Sequence, residues 1–386
     1  MPLYKTPITV DNNIYIDNQK KIQAVNNLKY RSSNNNDRKI YKWFKKLEWT
    51  IKDFFRNFHK VIKVILSKKD NNIVYIACIF GGGLGDMLIS KVVFDELLKM
   101  APNAVVDIYN KKSVFVLNGI KNIRFFFNID VINITKKHYD IVYHFGRSIE
   151  KFDIQSNKDF IKRIKNNLEQ YRKQYLYTGR IKDSTLSPLS VAKIMAGVDN
   201  IDDDKLSLNY KEQPLEKFGI TKITKYITFN CGAGGNGNLS NVKCWSADNW
   251  EKLLSILKSK LNKEIKIVNV GVSSHHFKGA DIHIAGKTSL DELCSVLKGS
   301  LLHIDIDGAC VHVANALGKK SVVLFSSSEY HVLGYKENIN ISSSLCGGCW
   351  EQGTKCPIGY EKPLCMDSIS PEFVAEKVIE YLEKPE

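Results

Sequence analysis

Beyond Asp70 the apolar positions come in short β-branched runs separated by longer stretches of helical period, the pattern of alternating strands and helices. Ile73 to Phe80 predicts a buried strand, followed by a glycine-rich turn, a helix from about Met87 to Met100, and a strand at Ala104 to Tyr109. Further strands are expected at Ile123 to Phe127 and Ile141 to Tyr143, so this half reads as a parallel, doubly wound unit. Asp153 to Gln174 predicts a charged helix, and Lys205 to Lys222, with Pro214 and Gly219 among polar residues, predicts a linker. The same grammar then restarts. Tyr226 to Asn230 is a strand and Gly232 to Gly237 a glycine loop; Ser246 caps a helix with Trp250, Leu253, Leu254 and Leu257 on one face. Ile265 to Val270, Leu301 to Ile306 and Ser321 to Phe325 are strands, and Ser289 with Glu292 spells a capping box. Two α/β halves joined by one linker predict a cleft, with a ligand at the carboxyl ends of the strands.

The first 70 residues differ. Residues 1–36 are polar and Asn-rich without clear period. From Arg38 to Lys69, Ile40, Trp43, Phe44, Leu47, Ile51, Phe54, Phe55, Phe58, Ile62 and Ile65 recur at helical spacing, with Lys39, Lys42, Lys46, Lys52, Arg56, Lys60 and Lys63 on the other face. Such a basic amphipathic helix suits a membrane interface, each lysine near anionic headgroups contributing about 1 kcal/mol. It equally suits packing on its own domain with a solvated basic face, and both readings stay open. The expected organisation is a basic extension 1–70, a first α/β domain 71–215, and a second α/β domain 216–386 that contains a four-cysteine segment, 346–365.

Charge follows this division. Of the net +15, residues 1–70 carry 16 Lys/Arg against 6 Asp/Glu, a net +10, so the basicity belongs to the extension. Nothing near it resembles a base-reading module, which sets nucleic acid behind both other readings. No run reaches the roughly 18 apolar residues of a bilayer span. Met1 to Val10 has no apolar signal core, so a cytoplasmic location is expected, with peripheral contact to the inner membrane through residues 38–69. In that compartment nine cysteines point to free thiols or a metal site rather than disulfides.

Four places can carry chemistry. In Gly81-Gly82-Gly83-Leu84-Gly85-Asp86 an aspartate stands where a dinucleotide fingerprint requires glycine. A carboxylate at a helix start repels pyrophosphate, so the turn with Gly83 and Gly85 suits a hydroxyl, and Asp86 can act as its general base. The plain alternative is a helix cap, with about half the weight. Asp307-Gly308-Ala309-Cys310-Val311-His312 opens a helix with small residues, leaving backbone N–H groups for a diphosphate; taken alone, a capping Asp and a core His are the better account. Lys243, in Lys243-Cys244-Trp245-Ser246, can neutralise a leaving diphosphate, or be one more surface lysine. Cys346, Cys349, Cys356 and Cys365 suit a closed, structural thiolate site for zinc or iron.

In this order the motifs resemble glycosyltransferase family 9, the heptosyltransferase family, from about Ile73 to the C-terminus. The similar features are Gly85-Asp86, Lys243-x-Trp245, the Asp307-to-His312 block running into Ala314-Asn315-Ala316-Leu317-Gly318, and the cysteine-rich tail followed by Ser370-Pro371-Glu372-Phe373-Val374. The resemblance implies a GT-B fold of two Rossmann-like domains facing a cleft, with the basic helical extension added, and inversion at the anomeric carbon without a catalytic metal. It implies a nucleotide diphosphate sugar such as ADP-heptose as donor and a glycolipid or glycan acceptor, for example a lipopolysaccharide core precursor. By position, Asp86 becomes the base, Lys243 meets the phosphates, and Thr288, Asp307, Gly308 and Ala309 line the donor site with His312 beside it. The family usually shows a hydroxyl residue where Gly308 stands, and often a proline near Val92. Rival readings are another nucleotide sugar on a protein or capsule acceptor, a non-catalytic nucleotide-sugar sensor, and a nucleic-acid-binding protein with a metal module.

Overall fold

Every residue from Tyr75 to Phe80 is buried, as the central strand of a sheet covered on both faces must be. The computed structural model describes residues 58–67, 69–80, 83–110, 115–117, 122–127, 132–145, 149–154, 156, 158–177, 180–181, 186–202, 205–232, 242–272, 275–349, 355–359 and 363–383. The Asn-rich stretch, the basic helix up to residue 57, Gly81, Gly82 and most of the second glycine loop lie outside them.

The first sheet contains β1 (Tyr75–Phe80), β2 (Val105–Asn110), β3 (Ile123–Phe127), β4 (Ile141–Phe145) and β5 (Ile149–Ile154) in the order β3-β2-β1-β4-β5. Four strands run parallel, and β5 pairs antiparallel with β4. The four expected strands are the parallel ones, and β5 is an addition at the edge: only three residues separate β4 from β5, too few for the crossover a parallel neighbour needs. The same strand takes Asp153 and Ile154 from the expected helix, which runs Asp159–Tyr175. β6 (Leu176–Tyr177) and β7 (Arg180–Ile181) form a separate antiparallel pair.

The second sheet is parallel throughout: β8 (Lys225–Asn230), β9 (Ile265–Asn269), β10 (Ile282–His283), β11 (His303–Ile306), β12 (Ser321–Phe325) and β13 (Ile339–Ser342), ordered β10-β9-β8-β11-β12-β13. Counted within this half that is 3-2-1-4-5-6, the doubly wound dinucleotide-binding order. Strand order reverses between β8 and β11, and the loops after those strands carry Lys243 and Asp307. Ser246 caps the Ala247–Lys260 helix through the Asn249 N–H, and Trp250, Leu253, Leu254 and Leu257 are its buried face, as the spacing predicts. The Ser289–Glu292 capping box forms at the head of the Leu290–Gly299 helix. These side chains join Ile227, Phe229, Ile304 and Ile306 in one core with Val374 and Val378 of the Pro371–Leu382 helix.

Residues 58–66 are helical. Val61 and Val64 are buried in the cluster on the first sheet with Tyr75, Tyr109 and Tyr139, whereas Phe58, Ile62, Ile65 and Leu66 are exposed. Of the two readings of this apolar face, packing on its own domain is not what Phe58, Ile62 and Ile65 do; it is the valines beside them that pack.

Main-chain proximity divides the chain into two compact units: Met1–Gly82, Phe94–Leu168 and Ala196–Asp199 in one, and Gly83–Val93, Glu169–Met195 and Asn200–Glu386 in the other. The unit of the second sheet thus includes the first turns of the Leu84–Met100 helix, and with them Gly85 and Asp86. Among the described residues no helix is long and apolar enough to cross a membrane.

Candidate active site

Two helix starts meet in this second unit. The Leu84–Met100 helix begins three residues earlier than expected, because Asp86 supports its first turn: its Oδ2 accepts the Gly83 N–H at 2.7 Å. This is half of a capping box: Asp86 supports the helix start from its third position, not as the N-cap itself, which falls at Gly83. The contact also holds the carboxylate at a helix N-terminus, where negative charge is favoured. The second start is the Ala309–Ala316 helix, whose N-cap, Gly308, offers no side-chain hydrogen bond, whereas Ser246, Ser289 and Ser370 cap the other helices of eight or more residues that follow β8. A Cβ on Gly85 would lie 2.5 Å from Cδ2 of His312 and 3.3 Å from the Ala309 Cα, so only glycine allows so close an approach. Asp86, Gly83, Gly85, Gly308, Ala309 and His312 therefore share one place.

Lys243 joins them through Trp245. Trp245 is fully buried, edge-on to Trp250 at 5.3 Å, with its indole N–H donated to the Ile369 carbonyl at 3.2 Å. That anchor fixes the segment two residues after Lys243, whose ammonium donates to Asp307 Oδ2 at 2.5 Å. Burial acts to raise the Asp307 pKa, but the charge and hydrogen bond of Lys243, then a hydrogen bond from Ser328 and the field of His312, leave it below the usual carboxylate range. Behind Asp307, His303 bonds Thr228 at 2.9 Å and Asp305 at 3.1 Å, and Asn230 donates to Asp305 at 2.8 Å. This buried network, absent from the sequence reading, stiffens the end of β11.

His312 is buried, and desolvation, against the opposing field of Asp307, holds its pKa down at about 4, leaving the imidazole neutral. Its Nδ1 lies 2.7 Å from the Tyr335 hydroxyl. Tyr335 and Ser328 have no motif spacing; only the fold brings them to Asp307 and His312. Thr288 is not drawn in the same way: it is half-buried ahead of the Ser289 cap and its side chain makes no hydrogen bond among the described residues.

Cys346 and Cys356 are half-buried, Cys349 exposed and Cys365 buried. Burial first, then the neighbouring Cys346, Cys349 and Cys356, push the Cys365 thiol up to about 11, so the four thiols share one neighbourhood. The segment touches the site's frame, the Gly348 N–H donating to the Ser326 carbonyl at 3.2 Å.

Residues 195–358 match the family model of glycosyltransferase family 9 (heptosyltransferase). No curated protein matches the chain in sequence. Similar solved structures include an E. coli ADP-heptose lipopolysaccharide heptosyltransferase II, 16% identical over 80% of this chain and 98% of that one, with a TM-score of 0.51. A family 9 glycosyltransferase from Veillonella parvula DSM 2008 is 17% identical over 82% and 99%, with a TM-score of 0.55. The iron-containing dodecameric glycosyltransferase TibC of enterotoxigenic E. coli H10407 is 14% identical over 80% and 78%, with a TM-score of 0.56. At these identities the likeness establishes a shared α/β fold, that of the GT-B heptosyltransferases. Residues 195–358 are a glycosyltransferase family 9 domain, and the protein that carries it is a glycosyltransferase.

Proposed function

We propose that the enzyme inverts configuration as it moves a sugar, with heptose from ADP-heptose the first candidate, onto a hydroxyl of a lipopolysaccharide core or similar cell-surface glycan precursor. The observation that carries this reading is the packing of the Gly85–Asp86 helix start against His312 and Ala309. It sets a carboxylate suited to a hydroxyl beside an uncapped helix start and a lysine suited to a diphosphate. Asp86 takes the acceptor's proton, the acceptor oxygen bonds to the anomeric carbon, and the bond to the diphosphate breaks with its electron pair leaving on the phosphate oxygen. Lys243 and the N–H groups at Ala309 and Cys310 meet that charge. TibC has been solved with ADP-D-β-D-heptose, which supports the choice of donor.

The acceptor places the work at the cytoplasmic face of an inner membrane. The exposed Phe58, Ile62, Ile65 and Leu66, on a helix already packed through Val61 and Val64, support docking there through the basic extension. Cys346, Cys349, Cys356 and Cys365 are the residues that would hold a structural zinc or iron: the four thiols act on one another, although no three of their sulfurs lie within 4.8 Å of one another, so binding would draw them in, and TibC is iron-containing. Bound there, the metal would cross-link the segment.

The test is release of nucleoside diphosphate from ADP-heptose with membrane lipid extract, comparing the natural protein with Asp86→Asn. Turnover by the first, and a loss of at least about 100-fold in the second with donor binding intact, is the expected result. Equal turnover by both removes Asp86 as base; absence of donor binding removes the donor.

A further inference from the structure

His312 and Tyr335 are 6% and 4% exposed, and their side chains meet at 2.7 Å with the rings edge to face, 5.6 Å between centroids at 78°. Burial first, then the charges of Asp307 and Glu337, hold the Tyr335 pKa far above neutrality, so the group remains a hydroxyl. A buried hydroxyl has one hydrogen to give, and among the described residues its partner is His312. Tyr335 therefore donates and Nδ1 accepts. A neutral imidazole that accepts at Nδ1 carries its proton on Nε2. The edge of the ring formed by Cδ2 and Nε2 faces the other helix start, the two atoms lying 2.5 and 3.3 Å from where a Cβ of Gly85 would stand.

We propose that Tyr335 is a positioning residue for glycosyl transfer: its hydroxyl locks His312 in the Nε2–H tautomer and so aims a neutral hydrogen-bond donor at substrate oxygens beside the Gly85–Asp86 turn. The use of that donor rests on the transferase reading above; the lock itself does not. The opposite tautomer would present a lone pair, which repels phosphate and sugar oxygens alike. A protonated ring would compete with Lys243 for Asp307. One tyrosine hydroxyl thus decides whether the ring offers a proton or refuses the ligand, and Tyr335→Phe frees Nδ1 to take the proton instead.

The test uses full-length protein labelled with ¹⁵N-histidine, with His312→Gln assigning the resonance in long-range ¹H–¹⁵N spectra. The natural protein is expected to show only the Nε2–H tautomer from about pH 6 to 8, and Tyr335→Phe a mixture of the two. Kinetically, Tyr335→Phe should lower kcat about 10-fold with KM for the sugar nucleotide within about 2-fold, and should add nothing in a His312→Gln background. A melting temperature within a few degrees of the natural protein shows that the variant folds. An Nδ1–H tautomer in the natural protein overturns the proposal, as does a loss that adds to that of His312→Gln. The expected tautomer in a protein that binds no nucleoside diphosphate sugar supports the lock and overturns the transferase reading, which separates the two failures.

Discussion

Gly85→Ala tests the meeting of the two helix starts by overfilling it. The added Cβ would sit 2.5 Å from His312 Cδ2, about 1 Å short of ordinary van der Waals contact, and 3.3 Å from the Ala309 Cα. Neither neighbour yields cheaply. The ring is held at Nδ1 by Tyr335, and the Ala309 backbone opens the helix that follows Asp307 and the stiffened β11. Overpacking of this size costs about 1–3 kcal/mol. Alanine's advantage over glycine within a helix offsets about 1 kcal/mol. The net loss of about 0–2 kcal/mol lowers the melting temperature by no more than about 8 °C at 2–4 °C per kcal/mol. Activity should fall much further, because a displacement of about 1 Å between base and leaving-group site costs on the order of 100-fold in rate. Continuous measurement of nucleoside diphosphate release, with thermal melts on the same samples, reads both quantities. His312→Ala added to Gly85→Ala removes the obstructing ring and should restore part of the lost stability, a coupling that distant sites do not show. Gly85→Ala with full turnover and an unchanged melt would refute the close approach.

Lys243→Ala leaves the Asp307 carboxylate buried and unpaired, and should cost about 3–5 kcal/mol in denaturant unfolding; Asp307→Asn in the same chain should recover most of it. Trp245→Ala removes a fully buried indole and the bond to Ile369, an expected loss of about 3–5 kcal/mol, and weaker nucleoside diphosphate binding by calorimetry should accompany it because Lys243 loses its anchor. His312 titrates at about 4 when folded against about 6.5 unfolded, so its contribution is complete above pH 6.5 and is lost as pH falls toward 4. The difference in unfolding free energy between the natural protein and His312→Gln should therefore shrink across that window, by an amount on the order of 3 kcal/mol; a difference independent of pH contradicts a neutral, buried ring.

Elements decided by local pattern were readable in the sequence. The Ser289–Glu292 box and the Trp250–Leu257 face needed no knowledge of the partner surface, because capping and helical periodicity are properties of a few consecutive residues. Those decided by neighbours were less so. Ile149–Ile154 becomes a strand because β4 ends three residues earlier and leaves an edge open, not because its own pattern demands one. In the 58–66 helix, apolar residues point to both sides, and contact with the first sheet selects Val61 and Val64 over Phe58 and Ile62. The site divides in the same way. Asp86, Lys243 and Asp307 stand in recognisable runs, whereas Tyr335 reaches His312 across 23 positions along the chain with no spacing to announce it.

The cysteine segment is tied to both arms of the site. At one end Cys365 and Met366 share the core with Trp245, and Ile369 accepts its indole N–H, so this end is fastened to the segment that delivers Lys243. At the other, Gly348 bonds Ser326, two residues before the Ser328 that bonds Asp307. Gly348 has φ +68°, and a Cβ there would meet Glu329 Cγ at 2.9 Å, so the turn is shaped to lie against the 326–329 loop. Lys243 and Asp307 form one ion pair, yet their supports run to opposite ends of one stretch of chain. Cross-linking Cys346 and Cys349 to Cys356 and Cys365, as a bound metal would, fixes the distance between those supports. On this reasoning a metal held there would stabilise the geometry of the Lys243–Asp307 pair without touching substrate, and chelation would weaken diphosphate binding even where the sheet and its core remain folded.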